Sequence, residues 1–158
     1  MDTIKTAYCP AFKHMLLLAK SGRIGNIKDI EASFTKLVAG NIRELRVDMS
    51  GGSINELSSY VLLPIVKLLG TEYKKLEFYS YMQNQIDAFT KGLLYYNNAT
   101  ASFKVGLGCK TEGDLIITGT SGYIYVPAPW WKTEYFEMRF EKPEQQPHRQ
   151  RYDERGDK

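Results

Sequence analysis

The chain is poor in the residues that metal, disulfide and hydrolytic chemistry use. Its 158 residues hold two cysteines, Cys9 and Cys109, and two histidines, His14 and His148. The cysteines stand far apart with no C-x-x-C or Cys/His spacing, so a disulfide framework or zinc site is not expected and a reducing compartment is the default. Neither histidine has a second candidate at metal-ligand spacing, and no metal is expected. No Walker A, GxSxG or HExxH pattern occurs. An excess of one charge is also missing: 21 Lys and Arg face 18 Asp and Glu, a net charge of +3. The lysines are scattered, so a solvated surface is expected and not a nucleic-acid partner. The apolar run Met15-Leu16-Leu17-Leu18-Ala19 is far too short to cross a bilayer, and no apolar signal segment follows Lys5. The expectation is a soluble cytoplasmic chain with no membrane partner.

What is present suits one domain with a real core: 43% of residues are hydrophobic and 25% charged, as in ordinary globular chains. Eleven tyrosines raise the aromatic share to 13%, a bias that favours sheets, interfaces and polar-lined pockets. Pro10 suits a first helical turn and Gly22 a helix stop, with Phe12, Met15, Leu16 and Ala19 at helical spacing between them. Ile30, Ala32 and Phe34 alternate with Glu31, Ser33 and Thr35, which predicts a strand within 27–38. Gly40 to Ser50 reads as a loop of mixed charge. A second helix is expected from Ser53 to Leu69, stopping at Gly70 and bent at Pro64, whose ring clashes with the carbonyl of Tyr60. That bend either aims the phenol or only wraps the helix around a core.

After Gly70 the chain reads as short strands: 75–81, 85–89, 93–96, 100–106, 114–118, 122–126 and 134–141, with turns at Asn97-Asn98 and Gly119-Thr120-Ser121-Gly122. Connections this short exclude parallel crossovers. The fold class is therefore α+β, a mainly antiparallel sheet with two main helices on one face. Residues 1–141 form this domain. The polar stretch 142–158 is expected to be a disordered tail.

The stretch Gly51-Gly52-Ser53 to Tyr60 carries the most chemistry. Ser53 and Glu56 have capping-box spacing, and Tyr60 lies four residues beyond Glu56 on the same face. A carboxylate beside a phenol suits proton transfer at an alcohol or carbonyl; equally, Glu56 closes the cap and Tyr60 is core. Pro127-Ala128-Pro129-Trp130-Trp131-Lys132 offers flat apolar surface, either for a sugar ring or base or for packing on a neighbouring helix or second subunit. Gly106-Leu107-Gly108 has its third glycine misplaced and strands after it, and reads as a loop, not a dinucleotide fingerprint.

Three landmarks, in order, resemble one family. Tyr8-Cys9-Pro10-Ala11-Phe12 through Lys20-Ser21-Gly22-Arg23-Ile24-Gly25-Asn26-Ile27 resembles the start of the C-terminal domain of the Gfo/Idh/MocA oxidoreductases. The Gly51–Tyr60 helix start resembles that family's double-glycine turn followed by an acid and, four residues on, His or Tyr. Gly119-Thr120-Ser121-Gly122-Tyr123-Ile124 resembles its GTxGxI hairpin. The resemblance covers residues 4 to 141 and implies a substrate-binding and dimerisation domain of an NAD(P)-dependent sugar, sugar-derivative or polyol oxidoreductase. It implies Tyr60 as proton donor or acceptor, Glu56 as the group that orients substrate, and Tyr8, Trp131 and Lys132 as substrate contacts. It implies a homo-oligomer through the sheet face and a sugar-like small molecule as ligand. NAD or NADP is implied for a longer parent; with no cofactor domain in these residues, this chain alone is expected to bind neither and to be inactive. Two positions depart from the family pattern, Glu56 for Asp and Ser58 for Gly. Glu141-Lys142-Pro143 echoes the family's Glu-Lys-Pro motif at the wrong end of the chain. The alternative is a stand-alone, non-catalytic sugar-binding or assembly module.

Overall fold

The computed structural model describes residues 4–141 together with Gln150 and Arg151. Eight strands form one sheet: β1 Ile27–Thr35, β2 Lys75–Gln83, β3 Ile86–Tyr95, β4 Thr100–Gly106, β5 Leu115–Gly119, β6 Gly122–Val126, β7 Tyr135–Phe140 and the two-residue β8 Gln150–Arg151. Their order is β2-β3-β4-β1-β5-β6-β7-β8. Among the described residues, the central β1–β4 pair alone is parallel and the other pairings are antiparallel. The remainder of the expected tail lies outside the described residues.

Two helices cover one face, α1 Pro10–Lys20 and α2 Ser53–Leu69. Helix α2 lies over β1, β3 and β4, while α1 sits beside it and over β7. Their apolar stripes meet the alternate residues of the strands. Phe12, Met15, Val61 and Ile65 pack in one cluster with Ile30, Phe103, Val105, Leu115, Ile117 and Ile124. Pro10 opens α1 as expected, and Gly22 follows its end at φ +87°. Pro64 is buried in α2, which runs through it unbroken.

Three strand expectations are corrected. The segments 85–89 and 93–96 are one strand, β3, which crosses Gly92 without a break. The Phe103 ring lies over that glycine: a Cβ there would stand 2.2 Å from its Cζ. The glycine marks a close approach within a strand, not its end. Gln85, read as strand, is turn instead; Asn84 and Gln85 have φ of 51° and 67° and form the two-residue loop between β2 and β3. Strand β1 closes at Thr35, short of Val38.

Candidate functional site

The double glycine before α2 builds the site. A Cβ on Gly51 would meet the carbonyl oxygens of Glu44, Arg43 and Arg46 at 2.5 to 2.8 Å. Gly51 N–H donates to Arg46 O at 2.9 Å and Gly52 N–H to Glu44 O at 2.8 Å. The loop before the helix is thereby laid against its first turn, and Asn55 Nδ2 holds it further by donating to Ser50 O at 3.0 Å.

That placement corrects the expected capping box. The N-cap position is Gly52, and Ser53 is already inside the helix. The Ser53 hydroxyl, fully buried, donates to Asp87 O at 2.8 Å and accepts from Leu107 N–H at 3.0 Å. The cap comes from β3: Asp87 Oδ2 accepts the N–H of Ile54 at 2.9 Å and the Thr90 hydroxyl at 2.8 Å. Glu56 is therefore not spent on its own helix. It meets Arg43 in a bidentate pair, Nη1 to Oε1 at 2.7 Å and Nη2 to Oε2 at 2.9 Å. Nothing local in the sequence pointed to Arg43; the partnership follows from the loop folding back at the double glycine.

One turn along the same face, Tyr60 packs edge-on against Phe34, with ring centroids 5.0 Å apart. Phe34 in turn stacks on Trp131 at 3.7 Å and 13°. Among the described residues, the Tyr60 hydroxyl has no hydrogen-bond partner. The two tryptophans divide the readings made of them. Trp130 is fully buried and donates from Nε1 to Ser33 O at 2.8 Å, so it is core. Trp131 is half-buried, with one face on Phe34 and its edge against Gly113.

Glu56, Tyr60, Trp131 and Lys132 line one cleft of about 1050 Å³, with Lys5, Thr6, Arg43, Asn55 and Ser59. The walls come from α2, from the loop before it, and from two short 3-10 turns, Lys5–Tyr8 and Trp130–Lys132. Thr6 Oγ1 joins these turns by donating to Trp131 O at 2.6 Å. Tyr8 stands outside the lining, largely exposed, with Lys13 Nζ 5.7 Å from its ring centroid. The cleft thus offers a carboxylate fixed by a guanidinium, a phenol one helical turn away, an aromatic wall and two lysines. Such a set can hydrogen-bond a polyhydroxylated ligand and exchange a proton with it. The tyrosines with raised pKa lie outside the cleft lining. Burial, then Tyr73, raises Tyr96; burial, then Asp114 and Glu112, raises Tyr125.

No family model and no curated protein matches the chain. Solved structures do. An NAD-binding oxidoreductase from Klebsiella pneumoniae superposes with a TM-score of 0.77 at 13% identity, over 95% of this chain and 46% of that one. A 3-ketoreductase from Actinomadura kijaniata, in complex with NADP and TDP-benzene, gives 0.77 at 17%, over 96% and 48%. An aldose-aldose oxidoreductase from Caulobacter crescentus, complexed with glycerol, gives 0.76 at 13%, over 92% and 45%. At these identities the likeness is one of fold, and the chain spans just under half the length of each. It is folded as one part of such oxidoreductases is folded.

Proposed function

We propose that this chain is the substrate-binding and dimerisation part of a cytoplasmic NAD(P)-dependent oxidoreductase of the Gfo/Idh/MocA type, acting on a sugar, a sugar derivative or a polyol. The observation that carries the reading is the placement of Tyr60 and the Glu56–Arg43 pair on one helix face in a cleft walled by Trp131. The neighbours bound to NADP and to glycerol support it by fold alone.

The described residues do not make a dinucleotide cradle at Gly106-Leu107-Gly108. That run ends β4 and leads into a loop, where a Rossmann fingerprint opens a helix. On this reading NAD or NADP sits on polypeptide outside the described residues and supplies the hydride chemistry. The work of this chain is position and protons. Arg43 holds the Glu56 carboxylate in place through both of its oxygens, and the pair orients substrate hydroxyls. In the reductive direction the Tyr60 hydroxyl donates its proton to the substrate carbonyl oxygen. In the oxidative direction its phenolate takes the hydroxyl proton. Trp131 and Lys132 contact the rest of the substrate; Tyr8 stands beyond the cleft walls and reaches it only from the rim.

The second reading, an assembly module, draws on β2, where Tyr79 is 68% and Tyr81 48% exposed. By register Tyr79 and Tyr81 share the outer sheet face with Lys91 and Phe89. We assign this face to homodimerisation, which fits both readings. A nuclear magnetic resonance titration separates them. Sugars and polyols that shift the amides of 53–60 and the Trp131 indole support a sugar site in the cleft, which the oxidoreductase reading requires and an assembly module lacks; turnover then separates the enzyme from a non-catalytic sugar-binding module. Shifts confined to β2 and β3, or none, contradict it.

A further inference from the structure

We infer that the ligand of this cleft carries an anionic group, a carboxylate or a phosphate, held by Lys5 and Lys132. The inference rests on the reading of the cleft as a substrate site and names its substrate class. Three cations line the walls, Lys5, Arg43 and Lys132, against one carboxylate, Glu56. The bidentate contact with Arg43 neutralises that carboxylate within the wall. Among the described residues, no carboxylate lies within ion-pair distance of either lysine.

The two lysines are not scattered surface charges, because the fold gathers them. Lys5 precedes Thr6, and Lys132 follows Trp131; these two neighbours are joined by the 2.6 Å bond from Thr6 Oγ1 to Trp131 O. The Lys132 N–H donates to Pro129 O at 3.0 Å, which fixes the turn that presents it. Both lysines line the same cleft while their side chains remain exposed, and two like charges on one concave surface add to a positive field there. A ligand anion in the cleft gains charge-assisted hydrogen bonds from them. Lysine is a point charge on a flexible stem and accepts carboxylate and phosphate alike, so the shared feature is the negative charge. The hydroxylated remainder of the ligand then faces Glu56 and Tyr60.

Calorimetry and amide shifts with four probes test this: D-glucose, D-glucuronate, D-glucose 6-phosphate and inorganic phosphate. The expected result is that glucuronate or glucose 6-phosphate binds at least about tenfold more tightly than glucose, the equivalent of one charge-assisted hydrogen bond. That preference should shrink with added salt, and with Lys5→Ala and with Lys132→Ala. Whichever charged sugar gains shows whether the group is carboxylate or phosphate. Inorganic phosphate shifting Lys5 and Lys132 while no sugar binds would support the anion site and remove the sugar reading. Glucose binding as tightly as both charged sugars would overturn the inference and leave the sugar reading standing. No shift in the cleft with any probe would overturn both.

Discussion

Asp87 Oδ2 accepts the N–H of Ile54 at 2.9 Å, so the helix that carries Glu56 and Tyr60 is capped from a strand and not by its own first residue. The site is thereby tied to the sheet. Ser53 strengthens the tie from inside the helix, with one bond to Asp87 O and one from Leu107 N–H. Ser53→Ala removes both bonds; the Leu107 N–H still donates to Ala88 O at 2.9 Å, so the loss should be about 1–2 kcal/mol. Glu56→Ala removes a pair whose Arg43 side chain is 51% exposed, and should cost no more than about 1 kcal/mol. Urea denaturation of the two variants checks the order. A capping box would make the Glu56 loss as large as the Ser53 loss.

Arg43 should matter to binding more than to stability. Arg43→Ala leaves Glu56 without its fork in the cleft wall, and affinity for the ligand should fall about tenfold while unfolding changes by less than about 1 kcal/mol. Arg43→Lys should not restore it, since an ammonium cannot span both carboxylate oxygens as the guanidinium does. Full affinity in the lysine variant would contradict the positioning role of the pair.

The Tyr96 hydroxyl donates to Gly70 O at 2.8 Å and fastens the end of α2 to the strand end. Burial, and then Tyr73, raises its pKa above the ordinary phenol value. The folded state therefore holds this proton more tightly than the unfolded chain does. The resulting stability is fully present below about pH 10 and is lost as pH rises through the folded-state pKa. Melting curves across that alkaline window should fall more steeply for the wild type than for Tyr96→Phe. Parallel curves would refute the linkage.

The outer face of β2 and β3 is where a second copy is expected to sit. Tyr79→Glu places a carboxylate among Tyr81, Phe89 and Lys91 on that face and should shift a dimer to monomer in sedimentation. A wild-type chain that stays monomeric at high concentration removes this proposal.

Much of the fold could be read from local pattern. The alternation of Ile30, Ala32 and Phe34 is the buried face of β1, and the stripe through Phe12, Met15 and Ala19 is the buried face of α1. The split of 85–89 from 93–96 fails because Gly92 lies between them: a glycine in a strand fits either an end or a close approach, and only the tertiary position of Phe103 decides. Ser53 misled because Asp87, far along the chain, competes for the cap. At the site, Glu56 and Tyr60 follow from helical spacing. Arg43, Phe34 and Lys5 do not, because they arrive through a loop fold-back, a strand face and a bond between distant 3-10 turns.

On the proposed reading, Tyr60 moves the proton at the reacting oxygen. The most direct measurement is turnover of sugars, sugar acids and polyols with NAD and NADP by the full-length natural protein and its Tyr60→Phe variant. Phenylalanine keeps the ring that packs on Phe34 and removes only the hydroxyl, so the fold and substrate affinity should persist. The expected result is a fall in kcat of about 10²–10⁴-fold with KM little changed. A Tyr60→Phe variant that turns over at the wild-type rate would contradict it.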